Sequence, residues 1–115
     1  MNKDTKIYLL LVAIVLLIII GIFIKQSWNN EKLTADSAAC ISKKAALIAS
    51  ETCGHCQEQK KTLGEYLKNF TILSVDEDPS LWAKYSLVGV PTWIINEKTY
   101  PGTKTIKELK DLTNC

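Results

Sequence analysis

Two thiols stand three residues apart in the chain, as Cys53-Gly54-His55-Cys56, with the only histidine of the sequence between them. Sulfurs at that spacing are near enough to close a disulfide within one turn of backbone. An outside thiolate can open such a bond by exchange, through a mixed disulfide at one of the two sulfurs. A zinc site is the competing chemistry for a Cys-x-x-Cys. Structural zinc pairs come as two short-spaced sets, however, and the remaining cysteines, Cys40 and Cys115, form none. No metal and no separate cofactor is therefore expected, the redox-active group being the Cys53–Cys56 disulfide itself. His55 is placed to set a cationic imidazole beside the Cys53 thiolate, favouring the reduced form and making the disulfide more oxidising.

These residues need elements to position them. Ala45 to Ser50 (AALIAS) is a short apolar run and reads as a strand buried on both faces. Behind the cysteines, Cys56, Leu63, Leu67 and Phe70 fall on one helical face, and Glu58, Lys61, Glu65 and Lys68 on a charged one. Cys53 thus sits where a strand ends and a helix begins, where orphan N–H groups and the positive helix end favour an anionic sulfur. Cys56, a turn inside, should be the more buried partner. Gly64 marks a kink or a close approach.

Thr71 to Val75 reads as a second strand, and Asp78-Pro79 as the cap and first residue of a short helix through Leu81, Trp82 and Tyr85. Gly89-Val90-Pro91 leads into a third strand, Thr92 to Ile95, and Lys98 to Tyr100 makes a fourth. Thr105-x-x-Glu108 is a capping box that opens a last helix with Ile106, Leu109 and Leu112 inward. The order is β-α-β-α-β-β-α, an α/β fold.

With Cys53-Gly54-His55-Cys56 after a strand and Val90-Pro91-Thr92 before a hairpin, the stretch from about Lys43 to Cys115 resembles the thioredoxin superfamily. The resemblance implies a compact thioredoxin-like fold. It also implies a cis Pro91 packed against the active disulfide, with Val90, Pro91 and Thr92 shaping the client groove. The tetrad resembles that of protein disulfide isomerases. Cys56-Gln57-Glu58-Gln59-Lys60, Gly89-Val90-Pro91-Thr92-Trp93 and Tyr100-Pro101-Gly102 are similar to the thioredoxin-like domains that accompany vitamin K epoxide reductase homologues. What this implies is a quinone-linked membrane partner that reoxidises the pair. The chain departs from the family at Leu47, where a buried acid usually serves the second cysteine, and at Thr52, where Trp often stands. Water, Glu51 or a lysine is left as proton acceptor for Cys56.

The dipeptide between the cysteines bears on direction. Thioredoxin lies near about −270 mV and disulfide isomerase near about −180 mV, a gap of roughly 4 kcal/mol. His55 rather than Pro predicts the oxidising side, and His55→Pro should lower the potential.

Ahead of the domain lies Ile7 to Ile24, a stretch without charge. As a helix it would be about 27 Å long, close to a hydrocarbon core of roughly 30 Å. Lys6 and Lys25 bracket it, and Trp28 stands where an interfacial aromatic helps. It is longer than a signal-peptide core of about 7–15 residues, and no small-residue cleavage site follows it directly. The organisation expected is a tail (residues 1–6), a transmembrane anchor (7–24), a linker with a short helix (25–42) and the α/β domain (43–115).

Composition narrows the classes further. A net charge of +2 without any arginine argues against a nucleic-acid groove, and 47% hydrophobic residues exclude a disordered chain. Cys40 and Cys115 read as a structural bridge, a second exchange pair, a partner linkage or two free thiols. A bridge would tie the approach segment to the last helix, where it would help a small core most. An oxidising pair on a membrane tether fits the extracytoplasmic face of a cell membrane, single-pass, where disulfides persist. The expected activity is a protein thiol–disulfide oxidase acting on client dithiols. The alternatives are a reductase of the cytochrome-maturation type and a non-catalytic anchored binding module.

Overall fold

A computed structural model describes residues 1–28 and 31–115, in two units, Met1–Asn30 and Glu31–Cys115. The first is helix α1, Lys3–Trp28, with Asp4 in its first turn and Lys25 in its last, each matched to the helix dipole. Its segment Lys3–Ser27 is long and apolar enough to cross a membrane. The side chain of Trp28, expected at an interface, lies outside the described residues.

The second unit opens with α2, Ala35–Lys44, whose N-cap Thr34 accepts from the Ser37 amide at 3.3 Å. Ala38 and Ile41 of α2 are fully buried, so this helix is part of the core and the compact unit begins at Glu31 rather than at 43. Then follow β1 (Ala45–Ala49), α3 (Gly54–Leu63), a 3₁₀ turn (Gly64–Asn69), β2 (Thr71–Ser74), α4 (Leu81–Lys84), β3 (Thr92–Ile95), β4 (Lys98–Pro101) and α5 (Ile106–Thr113). From β1 onward the order is the one expected.

The sheet runs β2-β1-β3-β4, with β1 parallel to β2 and antiparallel to β3, and β4 antiparallel to β3. Strand β1 is central, which is why nearly all of its side chains are buried. Leu47 belongs to the larger core, with α2, α3 and α5 residues including Ile41, Leu63 and Leu109. Its neighbour Ile48 belongs to a smaller cluster with Val75 and Leu81, as strand alternation requires. Trp93 is fully buried and meets Phe70 edge-on at 5.9 Å.

Two local readings change. The helix behind the cysteines does not run on to Phe70. It ends at Leu63, because Gly64 takes φ +57°, which breaks the α ladder and restarts the chain as a 3₁₀ turn. Asp78 does not cap α4. Its carboxylate accepts from the Ser80 amide at 3.1 Å in an Asx turn, and the helix starts later than expected, with Ser80 as its N-cap. At the other end, Thr105 and Glu108 close the expected capping box.

Candidate functional site

The site is built where β1 hands over to α3. After Ala49 the chain makes a tight turn, and the Cys53 amide donates to the Ser50 carbonyl at 3.3 Å. Asp76, just beyond β2, holds this turn from outside. Its carboxylate accepts from Ser50 Oγ at 2.9 Å and from the Glu51 amide at 2.8 Å. From the helix side, Gln57 Nε2 donates to the Glu51 carbonyl at 3.1 Å, and Lys60 Nζ lies 3.0 Å from Glu51 Oε1. The turn before Cys53 is therefore fastened on two sides.

Cys53 is the N-cap of α3. Its Sγ accepts from the Cys56 amide at 3.2 Å, in the place a Ser or Asp oxygen commonly takes. The same sulfur lies 3.5 Å from the Val90 carbonyl, to which the thiol donates. Cys53 is half-buried, whereas Cys56 is fully buried and both are free thiols. Burial pushes the Cys56 thiol up to about 11, and its hydrogen bond with Cys53 adds to the push. The Ser50 backbone hydrogen bond and the Lys60 charge act in the opposite direction.

Val90–Pro91 is a cis peptide bond, as the resemblance implied. The Pro91 carbonyl accepts from the Gly102 amide at 2.8 Å, and Thr92 Oγ1 donates to the Gly89 carbonyl at 2.7 Å. This loop is thus fixed to the start of β3 and the end of β4. Val90 remains half-buried with its carbonyl toward Cys53, so the structure brings Cys53, Cys56, Val90 and Pro91 together. Thr92 also lines a cleft of about 170 Å³ with Ser86, Leu87 and Val88.

His55 is placed differently from the expectation. Its Nδ1 meets Glu58 Oε2 at 3.3 Å, with both side chains well exposed, rather than turning onto the Cys53 sulfur. One turn apart on the same helix, the two are natural partners, and solvent screens any charge they carry.

Cys40 and Cys115 are joined by a disulfide across a sequence separation of 75, which ties α2 to the segment just beyond α5 and its C-cap Asn114. Among the described residues, no group of three His, Cys, Asp or Glu side chains is arranged to hold a metal ion.

Sequence reasoning missed Gln59. It is fully buried one turn after Cys56, and its Oε1 accepts from Trp93 Nε1 at 3.0 Å and from the Lys104 amide at 2.6 Å. Its Nε2 donates to the Lys104 carbonyl at 3.0 Å. The signal was a polar residue at a position of the apolar face that carries Cys56 and Leu63. Asp76 carried no such signal, since it reaches the turn from a separation of 26.

No family model matches the chain, and none of the curated proteins does. Among solved structures it is similar to a mutant of the thioredoxin-like protein BC3987, at 24% identity and TM-score 0.46, covering 60% of this chain and 97% of that one. It is similar to a mutant thioredoxin from Halobacterium salinarum NRC-1, at 21% identity and TM-score 0.48, covering 72% and 84%. A third likeness is to a mutant of the alkylhydroperoxide reductase AhpF from Enterococcus faecalis, at 19% identity and TM-score 0.49, covering 71% of this chain and 45% of that one.

Proposed function

We propose that the protein is a membrane-anchored thiol–disulfide oxidoreductase that oxidises client dithiols outside the membrane. The observation that carries this reading is a pair of thiols in unlike settings at one helix start. Cys53 caps α3 and is half-exposed, and Cys56 lies buried beneath it. A client thiolate attacks Cys53 Sγ of the oxidised pair, and Cys56 leaves. A second client thiolate then attacks the mixed disulfide, closing the client disulfide and releasing Cys53 as thiolate.

Val90, Pro91 and Thr92 line the client side, and the exposed Val88 beside them offers an apolar contact to an unfolded chain. Since the Pro91 carbonyl already accepts from Gly102, pairing with a client strand falls to Val90, whose carbonyl loses the Cys53 thiol as donor when the pair is oxidised. The reduced pair returns to the disulfide through a vitamin K epoxide reductase-like, quinone-linked membrane partner, as the sequence resemblance suggests. Helix α1 serves as the anchor, keeping the domain at the surface where such a partner resides. The Cys40–Cys115 bridge supports an extracytoplasmic placement, since disulfides persist there.

Replacing Cys56 with Ser should trap client mixed disulfides on Cys53; a variant that accumulates no adducts in cells refutes the exchange reading. Direction is read from the equilibrium potential against glutathione. The oxidase reading expects a value nearer about −180 mV than about −270 mV, lowered by His55→Pro. A potential at the thioredoxin end assigns the reductase role, which the pairing of His55 with Glu58 favours by drawing the imidazole to a carboxylate.

A further inference from the structure

Exchange at this site requires charge to develop on a sulfur that water does not reach. When a client thiolate attacks Cys53, the Cys53–Cys56 bond breaks and its electron pair leaves on Cys56 Sγ, which then takes a proton. In the opposite direction, Cys56 loses that proton, attacks Cys53 of the mixed disulfide and expels the client sulfur as a thiolate. Both directions pass through the same transition state, with partial negative charge on Cys56. Its sulfur is fully buried, so that charge needs a partner.

The surrounding elements offer few. Strands β1 and β3 contribute apolar members of the same cluster, Leu47 and Trp93 among them, and α5 contributes Ile106 and Leu109. His55 and Glu58 pair with each other in solvent. Asp76 sits on the outer side of the turn, engaged by Ser50 Oγ and the Glu51 amide. Lys60 remains, on α3 one turn beyond Cys56 and therefore on the same face.

Lys60 does not extend into water as a surface lysine does. Its side chain is only 15% exposed, and Nζ is drawn back 3.0 Å from Glu51 Oε1, in the turn that carries Cys53. Glu51 can hold it there because its own backbone is fixed at both ends. The amide is bound by Asp76 and the carbonyl by Gln57. The Glu51 carboxylate itself is 72% exposed, which leaves a route for protons to solvent.

We propose that Lys60, held by Glu51, is the positioning residue that supplies positive charge to Cys56 during exchange. It fills the need that an acid at the buried position Leu47 cannot meet in this chain. On the resting thiol the Lys60 charge already opposes the upward push of burial. This inference rests on the exchange reading above and concerns the same site.

The test is stopped-flow mixing of the reduced full-length protein, in detergent micelles, with a chromogenic aromatic disulfide across pH 6–12. Attack by Cys53 releases one thiol in a phase that scales with disulfide concentration. Resolution by Cys56 releases the second in a phase independent of it. Lys60→Met should slow the second phase about tenfold at pH 7 and raise its midpoint by about one pH unit, with the first phase unchanged. Lys60→Arg should restore both, and Glu51→Gln should shift the midpoint the same way by less. A Lys60→Met midpoint equal to wild type overturns the inference, as does Lys60→Arg behaving like Lys60→Met. If Lys60→Met does not fold, an unshifted midpoint in Glu51→Gln overturns it instead. A wild-type protein with no second phase at all refutes the exchange reading, and this inference falls with it.

Discussion

In the reduced protein at neutral pH, an alkylating reagent should react with Cys53 and pass over Cys56. The size of the difference follows from the ionisation of the buried thiol. Cys56 is moved from an ordinary 9.0 to about 11, by burial first and by its hydrogen bond with Cys53 second. Below both values each unit removes tenfold of the thiolate, so native Cys56 should react about a hundredfold more slowly than the same residue in the unfolded chain. Its complete burial works in the same direction. The assay is iodoacetamide labelling of the reduced full-length protein, with and without denaturant, followed by peptide mass mapping. The native rate at Cys56 should rise about tenfold per pH unit until near pH 11. Cys53→Ala removes the side-chain hydrogen bond to Cys56 and should recover part of the rate, but not most of it, because burial remains. Native and denatured rates within about threefold of one another would refute the assignment of Cys56 as the shielded, resolving thiol.

The same raised value couples pH to stability. The folded state favours the neutral thiol, so the stabilisation is fully present below about pH 9 and is lost as pH rises through about 11. The loss is about 3 kcal/mol, seen as the difference in denaturant midpoints between reduced wild type and Cys56→Ala; a pH-independent difference contradicts it. Replacing Cys40 and Cys115 together by Ser opens a loop with a sequence separation of 75 and should cost about 4–5 kcal/mol under oxidising conditions, measured by denaturation. Gln59→Leu leaves Trp93 Nε1 and the Lys104 amide without their acceptor, so stability should fall by about 1–3 kcal/mol; an unchanged unfolding curve is the refuting result.

Much of the active corner was legible in the sequence because its interactions are local. Cys53 caps a helix whose Cys56 amide is three residues on, and Thr105 with Glu108 closes a box of the same span. Short-range geometry of that kind follows from helix pitch alone. The order of elements along the chain was legible for a related reason, since the apolar run of β1 reads as a buried strand and the turns at Asn96-Glu97 and Gly102 set off β4. The Asn96 and Glu97 backbones do take positive φ, as a tight hairpin requires.

The helix behind the cysteines shows where a periodic pattern misleads. Leu67 and Phe70 continue the spacing of Cys56 and Leu63, and both pack against the core, yet the backbone between them is no longer an α-helix. Apolar spacing reports which face is buried, while Gly64 with its positive φ decides the backbone.

What the amino-acid order determined by itself is the chemistry: two thiols at a strand-to-helix junction, a proline before the third strand, and an apolar helix of membrane-spanning length ahead of them. Tertiary structure decided the environment of that chemistry. It paired Cys40 with Cys115, buried Gln59 between Trp93 and Lys104, set Asp76 behind the turn and folded Lys60 back onto Glu51. Most of these contacts join residues far apart in the chain, and the exception, Lys60 with Glu51, spans the turn between β1 and α3. Side chains such as Gln, Asp and Lys carry no preference for one distant partner over another until the packed core has chosen which of them lose water.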